Sequence, residues 1–110
     1  MAEGRIDLTG NKNDEAKLRL DLVPFELIAG TARALTFGAK KYGDHNWRGG
    51  LKWSRVFAAL LRHLFDWWIG VKKDADSGLC PLDHVAANLS FLMSYQTTQT
   101  GVDDRYKPVK

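Results

Sequence analysis

A single cysteine, Cys80, stands among 110 residues, so no disulfide can form within the chain and a reducing compartment is its expected setting. No stretch approaches the ~18 consecutive apolar residues that a membrane span requires. The opening MAEGRIDLTGNKNDEAK also lacks the apolar core of a signal peptide, and a cytoplasmic location is expected. There is no internal repeat and no low-complexity segment. Nor is there a phosphate loop of the P-loop or dinucleotide type, because the glycines around Trp47 have the wrong spacing and follow no strand. Excess charge is small: 16 basic against 13 acidic side chains leave +3. That balance suits an anionic small molecule and falls short of a dedicated nucleic-acid binder.

What the chain does contain is aromatic and apolar mass. Four Trp, five Phe and three Tyr within a 45% apolar composition are enough for one folded domain with a modest core. Residues 1–16 are polar and aperiodic and read as a flexible arm. Lys17 to Pro24 alternates like an extended segment. Pro24 then suits the first turn of a helix whose Leu27, Ile28, Ala32 and Leu35 recur at helical spacing up to Gly38. The glycine-rich run 37–50 reads as a compact loop. Ser54 as N-cap and Gly70 at C′ frame a second helix over 55–69, and Pro81 opens a third to about Gln96. Residues 17–96 thus form an all-α domain, a small bundle of three main helices (24–38, 55–69, 81–96) completed by short helical pieces or a partner subunit. The polar tail 97–110 is expected to fray or to cross to a neighbouring subunit.

On the second helix Val56, Phe57, Leu60, Leu61, Leu64, Phe65, Trp67 and Trp68 cover roughly half of the circumference, which places it deep in a core. The remaining arc holds Arg55, Arg62, His63 and Asp66 but no Lys or Glu, so it reads as a cleft wall rather than a solvated face. On the third helix Leu82, Val85, Ala86, Leu89, Leu92 and Met93 form the apolar side. His84, Asn88, Phe91 and Tyr95 lie along its flank, and Ala87, Ser90 and Ser94 form a row suited to close helix contact.

Two groups of side chains can carry chemistry. The first is His63 and Asp66, then Asp74 and Asp76 in the connecting loop, then Asp83, His84 and Asn88. Carboxylate and amide oxygens are hard ligands suited to Mg²⁺ or Mn²⁺, and imidazole moves the preference toward Mn²⁺. Each has a plainer reading. His63 can be a satisfied core residue, Asp66 a partner of Arg62 or Arg55, Asp74 and Asp76 solvated turn residues, and Asp83 a charge at a helix N-terminus. Asn88 in mid-helix needs a partner on either reading. The second group is Lys40, Lys41, Tyr42, His45, Asn46, Trp47 and Arg48. Its cations can hold phosphates, Asn46 can read a base edge, and Trp47 or Tyr42 can stack on a base; alternatively Trp47 packs on the core. Cys80 has no base assigned to it by the sequence.

The segments Leu20-Asp-Leu-Val-Pro24, Leu35-Thr-Phe-Gly-Ala-Lys-Lys-Tyr-Gly-Asp-His-Asn-Trp47, Ala59-Leu-Leu-Arg-His63, Trp67-Trp68, Asp76-Ser-Gly-Leu79 and Asp83-His-Val-Ala-Ala-Asn88 closely resemble the phage and bacterial dATP/dGTP diphosphohydrolase N-terminal domain family. The resemblance implies a MazG-like helical enzyme that splits purine deoxynucleoside triphosphates, dGTP or dATP, into monophosphate and pyrophosphate. It also implies Mg²⁺ or Mn²⁺, and a homo-oligomer, dimer or tetramer, whose subunits share sites; neither a membrane nor a nucleic acid is expected as partner. Where MazG-like sites use Glu and Asp clusters, this chain offers His63, Asp66, Asp83, His84 and Asn88. The resulting expectation gives His63, Asp66 and His84 catalytic roles and assigns Asp66, Asp76, Asp83, His84 and Asn88 to metal. Lys40, Lys41 and Arg62 fall to phosphate, and Tyr42, Asn46 and Trp47 to the base. Two alternatives stand beside it. One is a His-Asp-type phosphohydrolase, although its His-Asp pair appears here reversed as Asp83-His84. The other is a phage protein that binds nucleotide or nucleic acid without turnover.

Overall fold

A computed structural model describes residue 15 and residues 17–107; the expected N-terminal arm otherwise lies outside the described residues. The fold is all-α. Helix α1 spans Phe25–Tyr42, α2 Trp53–Trp68 and α3 Pro81–Thr98, with short 3₁₀ turns at Leu20–Leu22 and Asn46–Gly49. No strand forms among the described residues; one isolated parallel bridge joins Lys52 to Val102. No described helix is long and apolar enough to cross a membrane.

The helix boundaries follow local chemistry, with three departures from expectation. The segment 17–24 is not extended but makes the first 3₁₀ turn, closed by Val23 N–H on Leu20 C=O. Gly38 does not stop α1: a Cβ there would meet nothing, so the residue sits in an open helical turn. The helix ends instead at Gly43, whose φ of 96° leaves the helical region while its N–H caps Ala39 C=O. Lys40, Lys41 and Tyr42 are therefore the last turn of α1 and not part of a loop. Gly70 does close α2 as expected. Val71 N–H reaches back to Asp66 C=O and Gly70 N–H to Trp67 C=O, a Schellman arrangement around a glycine at φ 100°.

The third departure concerns the start of α2 and the tail. Lys52 occupies the N-cap, and the capping carboxylate comes from far downstream: Asp104 accepts from both the N–H and the hydroxyl of Ser54. Residues 100–105 neither fray nor cross away. Trp53 donates its indole N–H to Thr100 C=O at 2.8 Å, Trp53 N–H reaches Val102 C=O, and Val102 N–H reaches Leu51 C=O. Gly101 makes this seam possible, because with φ 79° any Cβ would collide with Leu51 C=O.

Helix α3 lies between the other two and packs on both, whereas α1 and α2 scarcely touch. The small core is Trp53, Val56 and Tyr95, with Trp47, Phe91 and Leu92 packed against it. Tyr95 is 1% exposed and donates its hydroxyl to Trp47 C=O. On the other side Asp83, 6% exposed, takes a two-pronged guanidinium bond from Arg33 of α1. Gly30 lets α1 come this close, since a Cβ there would stand 2.6 Å from Asp83 Oδ1.

The expected deep burial of α2 is not met. Its inward face is Trp53, Val56 and His63, but Phe57, Leu61, Leu64, Phe65 and Trp68 lie roughly 120° further round the helix. They face outward, Phe65 at 61% and Trp68 at 76% exposure. An apolar stripe about 100° wide serves one contact, and α2 carries enough for two. Likewise the inward side of α3 is the flank with His84, Ala87 and Tyr95, while Leu82, Leu89 and Met93 are exposed. Three helices in one open layer leave uncovered the apolar faces that a second layer normally hides.

Candidate functional site

The polar centre of the molecule forms where α2, α3 and their connecting loop meet. His63 comes from the third turn of α2 and His84 from the first turn of α3, and their rings stack at 4.6 Å, 20° from parallel. Phe37 of α1 meets His84 edge-on at 6.1 Å, so all three helices contribute. Both imidazoles are largely covered, at 21% and 14% side-chain exposure.

Beside both stands Asp74, a member of the first group for which a solvated turn was the plainer reading. Its Oδ1 is 3.6 Å from His63 Nδ1 and its Oδ2 3.9 Å from His84 Nε2, separations too long for direct hydrogen bonds. The nearer link is Ser77, whose Oγ lies 2.6 Å from His84 Nε2 and 3.2 Å from Asp74 Oδ2. The same Oδ2 accepts the N–H groups of Asp76 and Ser77. The loop is tied shut by Asp74 N–H on Leu79 C=O and Gly78 N–H on Asp74 C=O, with Gly78 at φ 75°. The sequence signal was D-x-D-S-G, in which an Asx-type turn offers side-chain acceptors to its own backbone. Periodicity has nothing to say about such a turn.

The electrostatics divide the roles. Partial burial works to raise the Asp74 carboxyl, but the hydrogen bonds from Ser77 and Asp76, with His84 nearby, outweigh it and hold it below 3.8. His63 moves below its usual 6.5: burial is the main cause, the adjoining His84 adds to it, and Asp74 and Asp66 only partly offset both. His63 is thus a neutral imidazole near pH 7, able to accept a proton. Its Nδ1 is buried with no hydrogen-bond partner.

The other expected residues are distributed as follows. Asp66 is half-buried one turn beyond His63 and has no ion-pair or side-chain hydrogen-bond partner among the described residues. Asp83 belongs to Arg33 on the α1 side, and exposed Asp76 to Lys41 at 2.8 Å. Asn88 turns its amide back onto His84 C=O, a bond inside its own helix. Lys41 also lies over the Phe37 and Tyr42 rings, while Lys40 and Asn46 are exposed. Trp47 is stacked by Phe91 at 4.6 Å and covered by the Arg48 guanidinium at 4.4 Å, so its indole faces are occupied. Phe91 is seven residues beyond His84, about 10 Å along the helix axis. Trp47 and the histidine pair therefore lie apart. Arg62 lines the apolar hollow on the outer side of α2 with Leu61, Leu64, Phe65, Trp67 and Trp68.

These positions do not make a metal cage. The lone pairs of an imidazole lie in its ring plane, and two nearly parallel rings cannot aim theirs at one ion. No three His, Cys, Asp or Glu side chains among the described residues are grouped as ligands. Among the described residues, Asp66 is the uncommitted carboxylate whose charge is felt at His63.

A family model described as dATP/dGTP diphosphohydrolase, N-terminal, matches residues 7–105. A protein of Salmonella phage PMBT28 named dATP/dGTP diphosphohydrolase is 34% identical over 98 residues, which cover 89% of this chain and 33% of that protein. The chain thus spans about a third of the length of this relative. No solved structure matches it.

Proposed function

Because this chain belongs to the dATP/dGTP diphosphohydrolase N-terminal family, we propose that it carries the nucleotide-handling site of an enzyme that cleaves dATP or dGTP between the α and β phosphates. The products are the monophosphate and pyrophosphate. The observation that carries this reading is the His63–His84 pair set against Asp74. Hydrolysis of a phosphoanhydride needs a base for the attacking water and cations for the growing phosphate charge. His63, neutral near pH 7, is the base in this scheme. With Nδ1 turned inward toward Asp74, Nε2 is the nitrogen that takes the proton. Exposed Lys40 and Arg62 are the cations for the phosphates, with Lys41 exchanging Asp76 for a phosphate oxygen. Tyr42 and Asn46, exposed and close to Lys41 in sequence, are the candidates for the base.

A Mg²⁺ or Mn²⁺ requirement is part of the proposal. Such an ion is commonly held by substrate phosphates, waters and one or two carboxylates rather than by a protein cage, and uncommitted Asp66 fits that lesser role. When bound it supplies charge neutralisation on the triphosphate.

The chain works, in this reading, as a cytoplasmic homo-oligomer of MazG-like subunits in phage nucleotide metabolism. The outer face of α2 supports self-association. With side chains of about 150–250 Å² each, its exposed fractions leave on the order of 600–700 Å² of apolar surface. A stable interface takes about 800 Å² from each partner.

The test is to incubate the chain with each dNTP and Mg²⁺ or Mn²⁺ and resolve the products. Purine monophosphate with pyrophosphate is expected. Release of inorganic triphosphate would point to the His-Asp type of chemistry, and no product from any nucleotide would overturn the enzymatic reading. The scatter of Asp76, Asp83 and Asn88 favours one alternative, a module that binds the nucleotide without hydrolysing it. Tight binding without turnover, unchanged in Asp66→Ala, identifies that case.

A further inference from the structure

We infer that Ser77 is a positioning residue: it holds His84 in the tautomer protonated on Nε2, by linking that nitrogen to the Asp74 carboxylate, and leaves Nδ1 as the proton acceptor of the ring. The inference rests on reading the histidine pair as the proton-handling part of the site.

Protons and lone pairs around one oxygen decide the tautomer. Ser77 Oγ has a single hydrogen and two lone pairs. It has three neighbours: Leu79 N–H at 3.1 Å, which donates to it, Asp74 Oδ2 at 3.2 Å and His84 Nε2 at 2.6 Å. If the hydroxyl donates to Asp74, its two lone pairs take the Leu79 N–H and a proton on His84 Nε2, and every group is satisfied. If the hydroxyl donates to His84 instead, one Oγ lone pair goes unused. The anionic Asp74 oxygen then faces the serine oxygen at 3.2 Å with no proton between them. In a site this covered the second arrangement costs a hydrogen bond to a charged acceptor, the stronger kind. The first arrangement runs His84 Nε2–H to Ser77 Oγ–H to Asp74.

The loop makes this arrangement permanent rather than occasional. Two backbone bonds between Asp74 and the Gly78–Leu79 pair close the turn, and Asp74 Oδ2 is pinned by two further N–H groups. The turn is thereby fixed, and the Leu79 N–H donated to Ser77 Oγ favours the rotamer seen here. The separation of 3.9 Å shows why the serine is needed: Asp74 Oδ2 has only an indirect route to His84.

The tautomer can be read without substrate. In the full chain labelled with ¹⁵N-histidine, at a pH where His84 is neutral, long-range ¹H–¹⁵N spectra should show a protonated Nε2 and a bare Nδ1 for His84. Ser77→Ala should turn this into a mixture of tautomers, and Ser77→Thr, which restores the hydroxyl, should return the original pattern. A His84 protonated on Nδ1 in the unsubstituted chain, or a pattern unmoved by Ser77→Ala, overturns the inference. In the nucleotide assay Ser77→Ala should lower kcat by roughly 10- to 100-fold with little change in KM, and Ser77→Thr should recover most of it. If the unsubstituted chain turns over no nucleotide, the functional reading fails, and the spectra still decide the tautomer.

Discussion

His63 and His84 stack ring on ring, 4.6 Å between centres, although they come from different helices. Two imidazolium ions at that separation repel, so the adjoining ring adds to burial in holding His63 below its usual 6.5.

Acidification should weaken the fold in two stages. The folded chain holds the His63 pKa below 6.5, with burial the leading cause. From pH 6.5 downward the unfolded chain binds a proton that the folded one refuses. Stability from this group is complete above 6.5 and is lost through the interval down to the folded pKa. Asp74 is likewise held below 3.8, and its contribution, present above that value, goes as the pH falls through its folded pKa. The urea midpoint should therefore drop between about pH 7.5 and pH 5.5, and His63→Asn should flatten that slope. An equal slope in both proteins removes His63 as its source.

Gly30→Ala should destabilise by about 1–3 kcal/mol, the usual cost of forcing an added carbon into a filled space, because its Cβ would stand 2.6 Å from Asp83 Oδ1. Asp83→Ala removes the obstacle, so the two substitutions together should cost less than their sum, as read by chemical denaturation. Asp83→Asn should spare turnover wherever the protein is folded. Loss of turnover with unchanged stability would return Asp83 to the chemistry.

Gly101→Ala should unfasten the tail from α2. A φ of 79° and a backbone oxygen in the place of the new Cβ cost on the order of 1–3 kcal/mol. For a chain of this size each kcal/mol lowers Tm by several degrees. Trp53, whose indole is bonded to Thr100, should become more solvent-exposed in fluorescence.

Charging the outer face of α2 should abolish the self-association proposed for it. Leu64→Glu with Trp68→Glu alters exposed positions, so the isolated fold should persist while the mass by light scattering falls to that of one 12.4 kDa chain. An unchanged multiple of that mass would acquit this face.

Much of the architecture was legible in the sequence, and what was missed has physical causes. Three helices could be read from Pro24, Gly70, Pro81 and the spacing of Leu and Phe, because capping and periodicity act locally. The apolar arc of α2 was visible too, but an arc says that something covers it and not whether that cover is the same chain. His63 and His84 could be singled out because both interrupt apolar faces, and the fold stacks their rings. Asp74 was placed in the first group but given no role, and Ser77 was passed over, because a turn carries no period; two backbone bonds place both against α3. Asp83 and Trp47 drew functional readings that the structure gives to packing: one is bound by Arg33, the other is covered on its faces by Phe91 and Arg48.

The seam between the tail and α2 has a consequence for the order of synthesis. The cap of α2 is Asp104, fifty residues after Ser54, and the indole of Trp53 waits 47 residues for Thr100. Arg33 of α1 likewise meets Asp83 only fifty residues later. While the chain emerges from the ribosome, α1 and α2 thus lack their shared neighbour, and α2 lacks its capping carboxylate. Docking of α1 and capping of α2 must each wait for fifty further residues.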